Sequence, residues 1–197
     1  MRFYLALGVI ALFSGSVNAA IIDFESASTS GCQVTTGGNI DGFTLGAYDG
    51  NSGAGFNNST DCGFIAPTAN SGSNYMVNYN SLIGEFTIDV GTFDLNSLFV
   101  HADARTDTAT VLFQGLDGVD GNVLYSMEVD ILAEWQQIDF DNWNDVKTFT
   151  WDSFDPNVSN IAIDDFEYNA AVPEPATLAL LGLGLAGLGF SRKKKVS

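Results

Sequence analysis

The chain has 197 residues, of which 24 are acidic and seven are basic, so its formal net charge is −17 at pH 7. Between residues 20 and 172 only Arg105 and Lys147 stand against 23 acidic residues, which gives this span a net charge of −21. Binding to phosphate groups depends on Lys and Arg, so the composition excludes nucleic-acid binding and favours cations as partners. Alternating apolar residues argue against a disordered acidic chain, and about 150 residues are enough for one folded domain.

The N-terminus has the features of a cleaved signal peptide. Met1-Arg2 supplies positive charge, Leu5 to Phe13 is an apolar core, and Val17-Asn18-Ala19 precedes the expected cleavage point. An apolar core this short does not span a membrane. We therefore predict that residues 1–19 are removed by signal peptidase and that the mature chain begins at Ala20.

Two-fold alternation of polar and apolar residues dominates the following domain and predicts half-buried β-strands. Glu85 to Val90 is the clearest example. The other β-rich runs are Ile21 to Glu25, Leu98 to Val100, Thr110 to Phe113, Val123 to Met127, Val146 to Trp151 and Ile161 to Phe166. No convincing helical stripe is present, and Ile131 to Gln137 is interpreted as a loop that leads into a strand around Trp135.

Turn-forming pairs such as Asp49-Gly50, Asp117-Gly118 and Asp120-Gly121 separate these runs. Both residues of such pairs tolerate positive φ, as hairpin turns require. Short strands at regular spacing with turns between them predict an all-β, antiparallel sandwich or barrel. Residues 26–74, rich in Gly, Ser, Thr and Asn, are expected to form long surface loops around a few strands.

Cys32 and Cys62 are the only cysteines, and in a chain that leaves the cytoplasm they are expected to form one disulfide. Metal-binding thiolates are the alternative, but the single histidine, His101, is far away in sequence. His101 ends a predicted strand and is interpreted as a structural residue. Zinc and a His-dependent catalytic triad are both disfavoured by this shortage of His and Cys.

Carboxylates are the remaining route to catalysis, because two of them suffice for glycoside hydrolysis. Glu85, Glu128 and Glu134 are candidates, but nothing in the sequence selects a pair. We therefore predict that the protein is not an enzyme, with a secreted carbohydrate-active hydrolase as the alternative.

The C-terminal segment has three parts, which are the tripeptide Pro173-Glu174-Pro175, an apolar run from Ala176 to Phe190, and a basic cluster. The cluster comprises Arg192, Lys193, Lys194 and Lys195. Cations beside a membrane helix stay in the cytoplasm, so residues 176–190 are predicted to be one transmembrane helix and residues 192–195 its cytoplasmic tail. A GxGxxG pattern at Gly182 to Gly187 lies inside this run, with no strand before it, and does not indicate a nucleotide site.

Residues 172–197 resemble the PEP-CTERM sorting segment of Gram-negative bacteria that make exopolysaccharide. The resemblance implies that exosortase, a membrane protease, recognises Pro173-Glu174-Pro175 and removes the helix and basic tail. It further implies export, a precursor anchored in the inner membrane, and a final location at the cell surface or in the extracellular matrix.

Ile21 to Glu25, Phe93 to Phe99 and Ile161 to Phe166 resemble strands of the jelly-roll domains found in secreted PEP-CTERM proteins, which are similar to galactose-binding-like and carbohydrate-binding modules. The resemblance implies that the first and last strands lie side by side and hold a structural Ca²⁺. Oxygen ligands suit this hard cation. The candidate ligands are Asp23, Glu25, Asp164 and Asp165.

Asp23 and Glu25 are expected on one face of their strand, since residues i and i+2 share a face. The alternative for all four acids is a solvated strand edge, where charge discourages pairing with other chains. No EF-hand loop is present, because Asp139 to Trp143 begins like one but places Trp at the fifth position.

Aromatic residues offer a separate glycan-binding hypothesis, since sugar rings stack on aromatic faces. The candidates are Trp135, Trp143, Trp151, Tyr48, Tyr75 and Tyr79. The competing interpretation is that they pack in the core, as most Trp residues do in a small β-sandwich.

Together these features predict a signal peptide at 1–19, a jelly-roll-like β-sandwich at 20–171 and a sorting segment at 172–197. The expected function is that of a secreted, non-catalytic surface or matrix protein that binds polysaccharide or has a structural role. Ice binding is a further alternative, but it requires a regular Thr-rich face, and the Thr residues are not evenly repeated in the sequence.

Overall fold

The computed structural model describes residues 19–27, 39–47, 54–58, 68–78, 83–102, 108–153 and 160–170. Within them the chain forms twelve β-strands. These are β1 Ala19–Ile22, β2 Asn39–Ile40, β3 Phe43–Ala47, β4 Ala54–Asn58, β5 Asn74–Asn78, β6 Gly84–Ile88, β7 Phe93–Ala102, β8 Thr108–Leu116, β9 Val123–Leu132, β10 Gln136–Val146, β11 Thr148–Ser153 and β12 Ile161–Ala170. The predicted signal peptide up to residue 18, both cysteines and the predicted sorting segment lie outside the described residues.

The strands form two antiparallel sheets that pack face to face. The first sheet has the order β10-β7-β12-β5-β4, and β1 joins it by pairing with β12. The second has the order β2-β3-β6-β11-β8-β9. This confirms the all-β, antiparallel sandwich that the strand spacing predicts and the jelly-roll-like fold that the resemblance implies. None of the described residues belongs to a helix long and apolar enough to cross a membrane.

The first and last strands lie side by side, with Ile22 opposite Phe166 and Ala19 opposite Asn169. Ahead of β1 on the same edge, Ala162 and Ile163 of β12 pair with β5, and on the opposite edge β12 pairs with β7 along most of its length. The last strand of the domain is therefore an interior strand with neighbours on both sides.

A cluster of stacked and edge-to-face aromatic rings joins the two sheets around Phe43. Phe43 stacks on Phe86 with ring centroids 4.4 Å apart, and it meets Phe93 and Tyr168 edge to face at 5.2 and 4.9 Å. Phe166 packs against both Phe43 and Phe86. Such pairs stabilise a fold by about 0.5–1.5 kcal/mol each beyond the area that they bury, so this cluster fixes how the sheets face each other.

Two of the three Trp residues belong to the same core. Trp143 contacts Phe140 at 4.8 Å, and Trp151 stacks on Phe149 at 6.0 Å. The two indoles are only 6% and 0% exposed. Core packing is therefore the correct interpretation for Trp143 and Trp151, and neither presents a ring to a sugar.

Strand β10 contains irregularities that hide it from a search for two-fold alternation. Its inward-facing residues Phe140, Trp143 and Val146 are spaced by three, because Asn142 and Asp145 adopt positive φ values of 62° and 58°. The register against β7 shifts on each side of Trp143. These β-bulges let the chain insert an extra residue while the apolar side chains stay in the core.

A β-bulge also interrupts β12. Asp165 has φ 45°, and the register against β7 shifts between Asp164 and Glu167. Ile163 and Phe166 consequently both face the core. The bulge explains why the paired acids break the sequence alternation, and it decides where their carboxylates point.

Candidate functional site

Three of the four predicted metal-site residues converge on one segment, residues 68–74, here called the anchored loop. Glu25 Oε1 accepts the backbone N–H groups of Ser73 and Asn74, both at 2.6 Å. Asp164 Oδ2 accepts those of Asn70 and Ser71 at 2.9 and 3.1 Å. Acids from the two ends of the domain therefore hold the backbone of the same loop.

Asp165 holds the side chains of that loop. Its Oδ2 accepts Asn70 Nδ2 and its Oδ1 accepts Ser71 Oγ, each at 2.6 Å. Asp164 Oδ1 in turn accepts the Asp165 N–H at 2.8 Å. The bulge in β12 thus directs two consecutive carboxylates to one pair of residues.

Asp164 is fully buried, and this burial has an electrostatic consequence. Loss of solvent raises its pKa to about 7, although the backbone N–H groups of Ser71 and Asp165 act in the opposite direction. The neighbouring carboxylate of Asp165 adds a smaller upward contribution to the same pKa. Ionisation of Asp164 is therefore less favourable than that of an exposed aspartate, and a positive charge beside it would favour the ionised form.

Asp23 and Glu25 do not share a strand face, and that expectation is wrong. β1 ends at Ile22, and Phe24 adopts φ 57° while its ring is buried in the core. Asp23 Oδ1 accepts the Glu25 N–H at 3.1 Å, so Asp23 closes a turn. That turn aims Glu25 at the loop, where Gly72 has φ 54° and a Cβ would lie 2.3 Å from the Glu25 Cδ.

The carboxylates at the anchored loop are of the kind that binds a hard cation. They are, however, few in number. Carboxylate oxygens of Glu25 and Asp164 are ligands that Ca²⁺ prefers. In the part of the chain that the structure describes, no group of three or more His, Cys, Asp or Glu residues is placed to hold a metal ion. Any cation at the anchored loop would need backbone or amide oxygens to complete its shell.

A second polar region lies on the outward side of the second sheet and is here called the outer polar face. Phe86 and Phe149 point into the core, so the residues that alternate with them along β6 and β11 point outward. Cross-strand pairing places Gly46, Glu85, Thr150 and Gln114 in one row. The polar members of this face are Glu85, Thr87, Gln114, Thr148, Thr150 and Asp152, and the same pairing places Leu112 and Leu116 among them.

Glu85 lies at the centre of this face and is only 4% exposed. Its Oε1 accepts a long hydrogen bond from Thr87 Oγ1 at 3.3 Å, whereas its Oε2 is buried without a partner among the described residues. A Cβ at Gly46 would lie 3.0 Å from Oε1, so glycine leaves room for the carboxyl group. Burial is the main cause that raises the pKa of Glu85.

Asp152 stands on the same face, two residues beyond Thr150. Burial raises the pKa of its carboxyl group too, and its Oδ1 is buried without a partner in the described part of the chain. Thr87 and Thr148 join their hydroxyls at 2.9 Å across β6 and β11. A buried polar atom without a partner lowers the stability of a fold by about 1–3 kcal/mol. On this face two carboxylate oxygens, one of Glu85 and one of Asp152, lack a partner among the described residues.

The remaining predicted residues fall outside these two regions. His101 is buried and meets Trp135 edge to face at 5.2 Å, while Trp135 Nε1 donates to Thr68 O at 2.6 Å. Tyr75 is fully buried beside them. His101 is therefore packed in the interior, and Tyr75 presents no surface for stacking.

Of the other acidic and aromatic candidates, the structure locates two glutamates and does not describe two tyrosines. Glu128 and Glu134 are exposed, and Glu128 lies opposite Leu112, which itself lies opposite Asp152. Tyr48 and Tyr79 lie outside the described residues, as do the predicted disulfide and the basic cluster at 192–195.

The fold belongs to a class that includes adhesin domains and carbohydrate-binding modules. The K2 cleaved adhesin domain of Lys-gingipain matches with a TM-score of 0.52 and 12% identity, over 77% of this chain and 99% of that domain. The K1 cleaved adhesin domain of Lys-gingipain from Porphyromonas gingivalis W83 gives 0.51 and 16%, over 79% and 99%. The CBM22-1-CBM22-2 tandem domain of Xyn10C from Paenibacillus barcinonensis gives 0.50 and 12%, over 84% of this chain and 49% of the tandem.

At the C-terminal end, residues 171–193 match the PEP-CTERM protein-sorting motif. The match includes Pro173-Glu174-Pro175 and the apolar run, so the predicted resemblance of this segment is confirmed. No curated protein matches the chain.

Proposed function

We propose that this protein is an exported glycan-binding module that the PEP-CTERM system delivers to the cell surface or the exopolysaccharide matrix. The observation that carries the proposal is the outer polar face, where carboxyl, hydroxyl and amide groups gather on a sandwich fold. Binding sites for small ligands fix their orientation through a few well-placed polar groups of this kind. The sorting motif at 171–193 supports the proposed location.

Binding is favoured over hydrolysis by the state of the acids. A glycosidase needs two carboxyl groups whose environments push their pKa values apart, so that one is an acid while the other is ionised. Burial raises the pKa of both Glu85 and Asp152. Neither described acid of the outer polar face has a lowered pKa that would keep it ionised beside a protonated partner, and we propose a non-catalytic protein.

Ice binding is disfavoured by burial. Thr44, Thr87 and Thr148 do form a cross-strand row. Thr148 is however 0% exposed and Thr150 only 3%. A flat array that contacts ice requires exposed hydroxyls, and these two are buried.

The glycan-binding proposal is tested with the full chain in a polyoxyethylene detergent, which carries no sugar headgroup. Neutral, acidic and amino-containing oligosaccharides are titrated calorimetrically. Gln114→Ala should weaken binding at least tenfold, whereas Gln137→Ala, an exposed glutamine on the first sheet, should leave it unchanged. Absence of binding to every class would overturn the proposal.

The proposed sorting requires signal peptidase and exosortase as partners during export, with the membrane reached through the predicted helix before processing. In a host that produces exosortase, Glu174→Ala should leave the uncleaved chain in the membrane fraction. The unchanged chain should be released, except when exosortase is deleted. Equal release of both chains would contradict recognition of the tripeptide.

We further propose a structural Ca²⁺ at the anchored loop, with carboxylate ligands from Glu25 and Asp164 and with Asp165 beside them. The supporting observation is that Asp164 is buried and unfavourable as an anion, a state that a bound cation would relieve. Asp23, committed to its turn, would orient Glu25 without contacting the ion.

Thermal unfolding in Ca²⁺ and in EDTA tests this cation site. Saturation at about 100 times Kd adds about 2.7 kcal/mol of stability, a rise of several degrees in Tm. Glu25→Gln should abolish that rise, whereas Glu134→Gln, an exposed control, should preserve it. An equal Tm in both solutions would remove the metal from the proposal and leave the glycan site untouched.

A further inference from the structure

The outer polar face contains one atom that restricts the chemistry of its ligand. Glu85 Oε2 accepts no hydrogen bond from any described residue, although its side chain is more than nine-tenths buried. When Glu85 is ionised, the partner that satisfies this oxygen must be a hydrogen-bond donor. Asp152 Oδ1, on the same face, has the same requirement.

No cationic side chain in the described part of the chain is available to donate to Glu85 Oε2. Lys147 is the one basic residue in the described part of the chain, and its Nζ donates to the carbonyl oxygens of Ile88 and Asp89. The span from residue 20 to 172 carries a net charge of −21. A glycan rich in carboxylate or sulfate would meet like charge, whereas a cationic glycan would bring the missing charge with it.

Stacking contributes little at this face. The outward residues of β3, β6, β11, β8 and β9 that the pairing aligns include no aromatic side chain among those described. Tyr125 packs inward against Trp143 at 5.4 Å. Hydrogen bonds and charge are therefore the main described means of recognition here, beside the apolar side chain of Leu112, and they favour a ligand with strong donors.

We propose that the outer polar face binds a glycan with free amino groups, such as a polymer of deacetylated hexosamine, and that a sugar ammonium group donates to Glu85. The inference rests on the proposed glycan-binding function and names its ligand class. An ammonium group supplies three donors and a full charge, while the partly exposed Thr87 and Gln114 supply partners for neighbouring sugar hydroxyls. Gly46 leaves room beside the carboxyl group, because a Cβ there would lie 3.0 Å from Glu85 Oε1.

The test compares oligomers of glucosamine, N-acetylglucosamine and galacturonic acid, titrated into the full chain in polyoxyethylene detergent at about pH 6. The glucosamine oligomer should bind at least tenfold more tightly than its acetylated form, and the galacturonic acid oligomer should not bind. Glu85→Gln should remove this preference, and Gly46→Ala, which keeps the charge, should weaken glucosamine binding. Glu128→Gln, on an exposed part of the same sheet, is the matched control.

The outcomes separate this inference from the function on which it rests. Equal or tighter binding of the acetylated or acidic oligomer overturns the amino-sugar inference while preserving glycan binding. Equal loss in Glu85→Gln and Glu128→Gln means attraction by net charge alone and also overturns it. If Glu85→Gln fails to fold, an unaltered affinity in Gly46→Ala decides against the site, and no binding of any oligomer contradicts both proposals.

Discussion

Asp164 and Asp165 are consecutive residues of β12, yet both carboxylates accept hydrogen bonds from the same two loop residues, Asn70 and Ser71. In a regular strand consecutive side chains point to opposite faces of the sheet. The positive φ of Asp165 breaks that rule and brings the second acid to the side of the first. The bulge is therefore the device that fastens the anchored loop to the sandwich.

Asp164 should make the domain less stable as pH rises. Its pKa is about 7 in the folded domain, compared with an ordinary value of 3.8. Between these values the folded state retains a proton that the unfolded state has lost, so the free energy of unfolding falls as pH increases through this window. Urea unfolding in EDTA should give a higher midpoint at about pH 5 than at about pH 8.

Asp164→Asn is the variant that checks this assignment. It should flatten the pH dependence without abolishing it, because the raised pKa values of Glu85 and Asp152 act in the same direction. Saturating Ca²⁺ should flatten the unchanged protein similarly if the cation site exists, since the metal binds the ionised carboxylate. A slope in Asp164→Asn equal to that of the unchanged chain would show that another group titrates.

Glu25→Ala should destabilise the fold by about 1–2 kcal/mol, because two backbone N–H groups lose their charged acceptor. The effect is moderated by exposure, since water reaches Glu25 and can replace part of the interaction. Chemical denaturation in EDTA measures the change. Glu134→Ala removes an equally exposed carboxylate and should shift the midpoint little, so similar losses in both variants would refute an anchoring role.

Gly84→Ala should cost about 1–3 kcal/mol by overpacking. A Cβ at residue 84 would lie 2.2 Å from Trp151 Cε2, and the indole is fully buried with no room to retreat. Gly118→Ala is the control, because a Cβ there meets nothing within 4 Å. Urea midpoints compare the two variants, and a Gly84→Ala protein as stable as Gly118→Ala would mean that Trp151 repacks freely.

At position 142, the stability of the domain should depend on the backbone conformation that the residue allows more than on its polarity. At φ 62° a β-branched residue is strained by about 1–2 kcal/mol, so Asn142→Val should lower stability by that amount. Asn142→Gly should be close to neutral at this φ. Equal stability of the two variants, measured by urea unfolding, would indicate that the bulge in β10 relaxes.

Strands with regular alternation were predictable from sequence, and those with bulges were not. The run from Glu85 to Val90 predicts β6, because its polar and apolar residues alternate without interruption. β10 was missed apart from a strand expected around Trp135, which lies just before it, because left-handed residues stretch the spacing of its apolar side chains to three. The predicted run Val146 to Trp151 is likewise divided between two strands, with Lys147 at the junction.

The candidate sites were harder to predict because they depend on distant pairings. Glu25, Asp164 and Asp165 were identified as a group from the resemblance, but their common partner, the anchored loop, lies 94 positions from Asp164 along the chain. Glu85 was one of several acids with nothing to select it. Only the register of β6 against β11 places it in a row with Thr150 and Gln114.

The interior position of β12 has a mechanical consequence. Ala170, the last residue of this strand, is followed directly in the chain by the segment that matches the sorting motif. A pull at that point along the strand is resisted in shear by hydrogen bonds to β7 on one side and to β1 on the other. Many bonds must then break together, so a domain tethered through this end is built to withstand tension rather than to unzip.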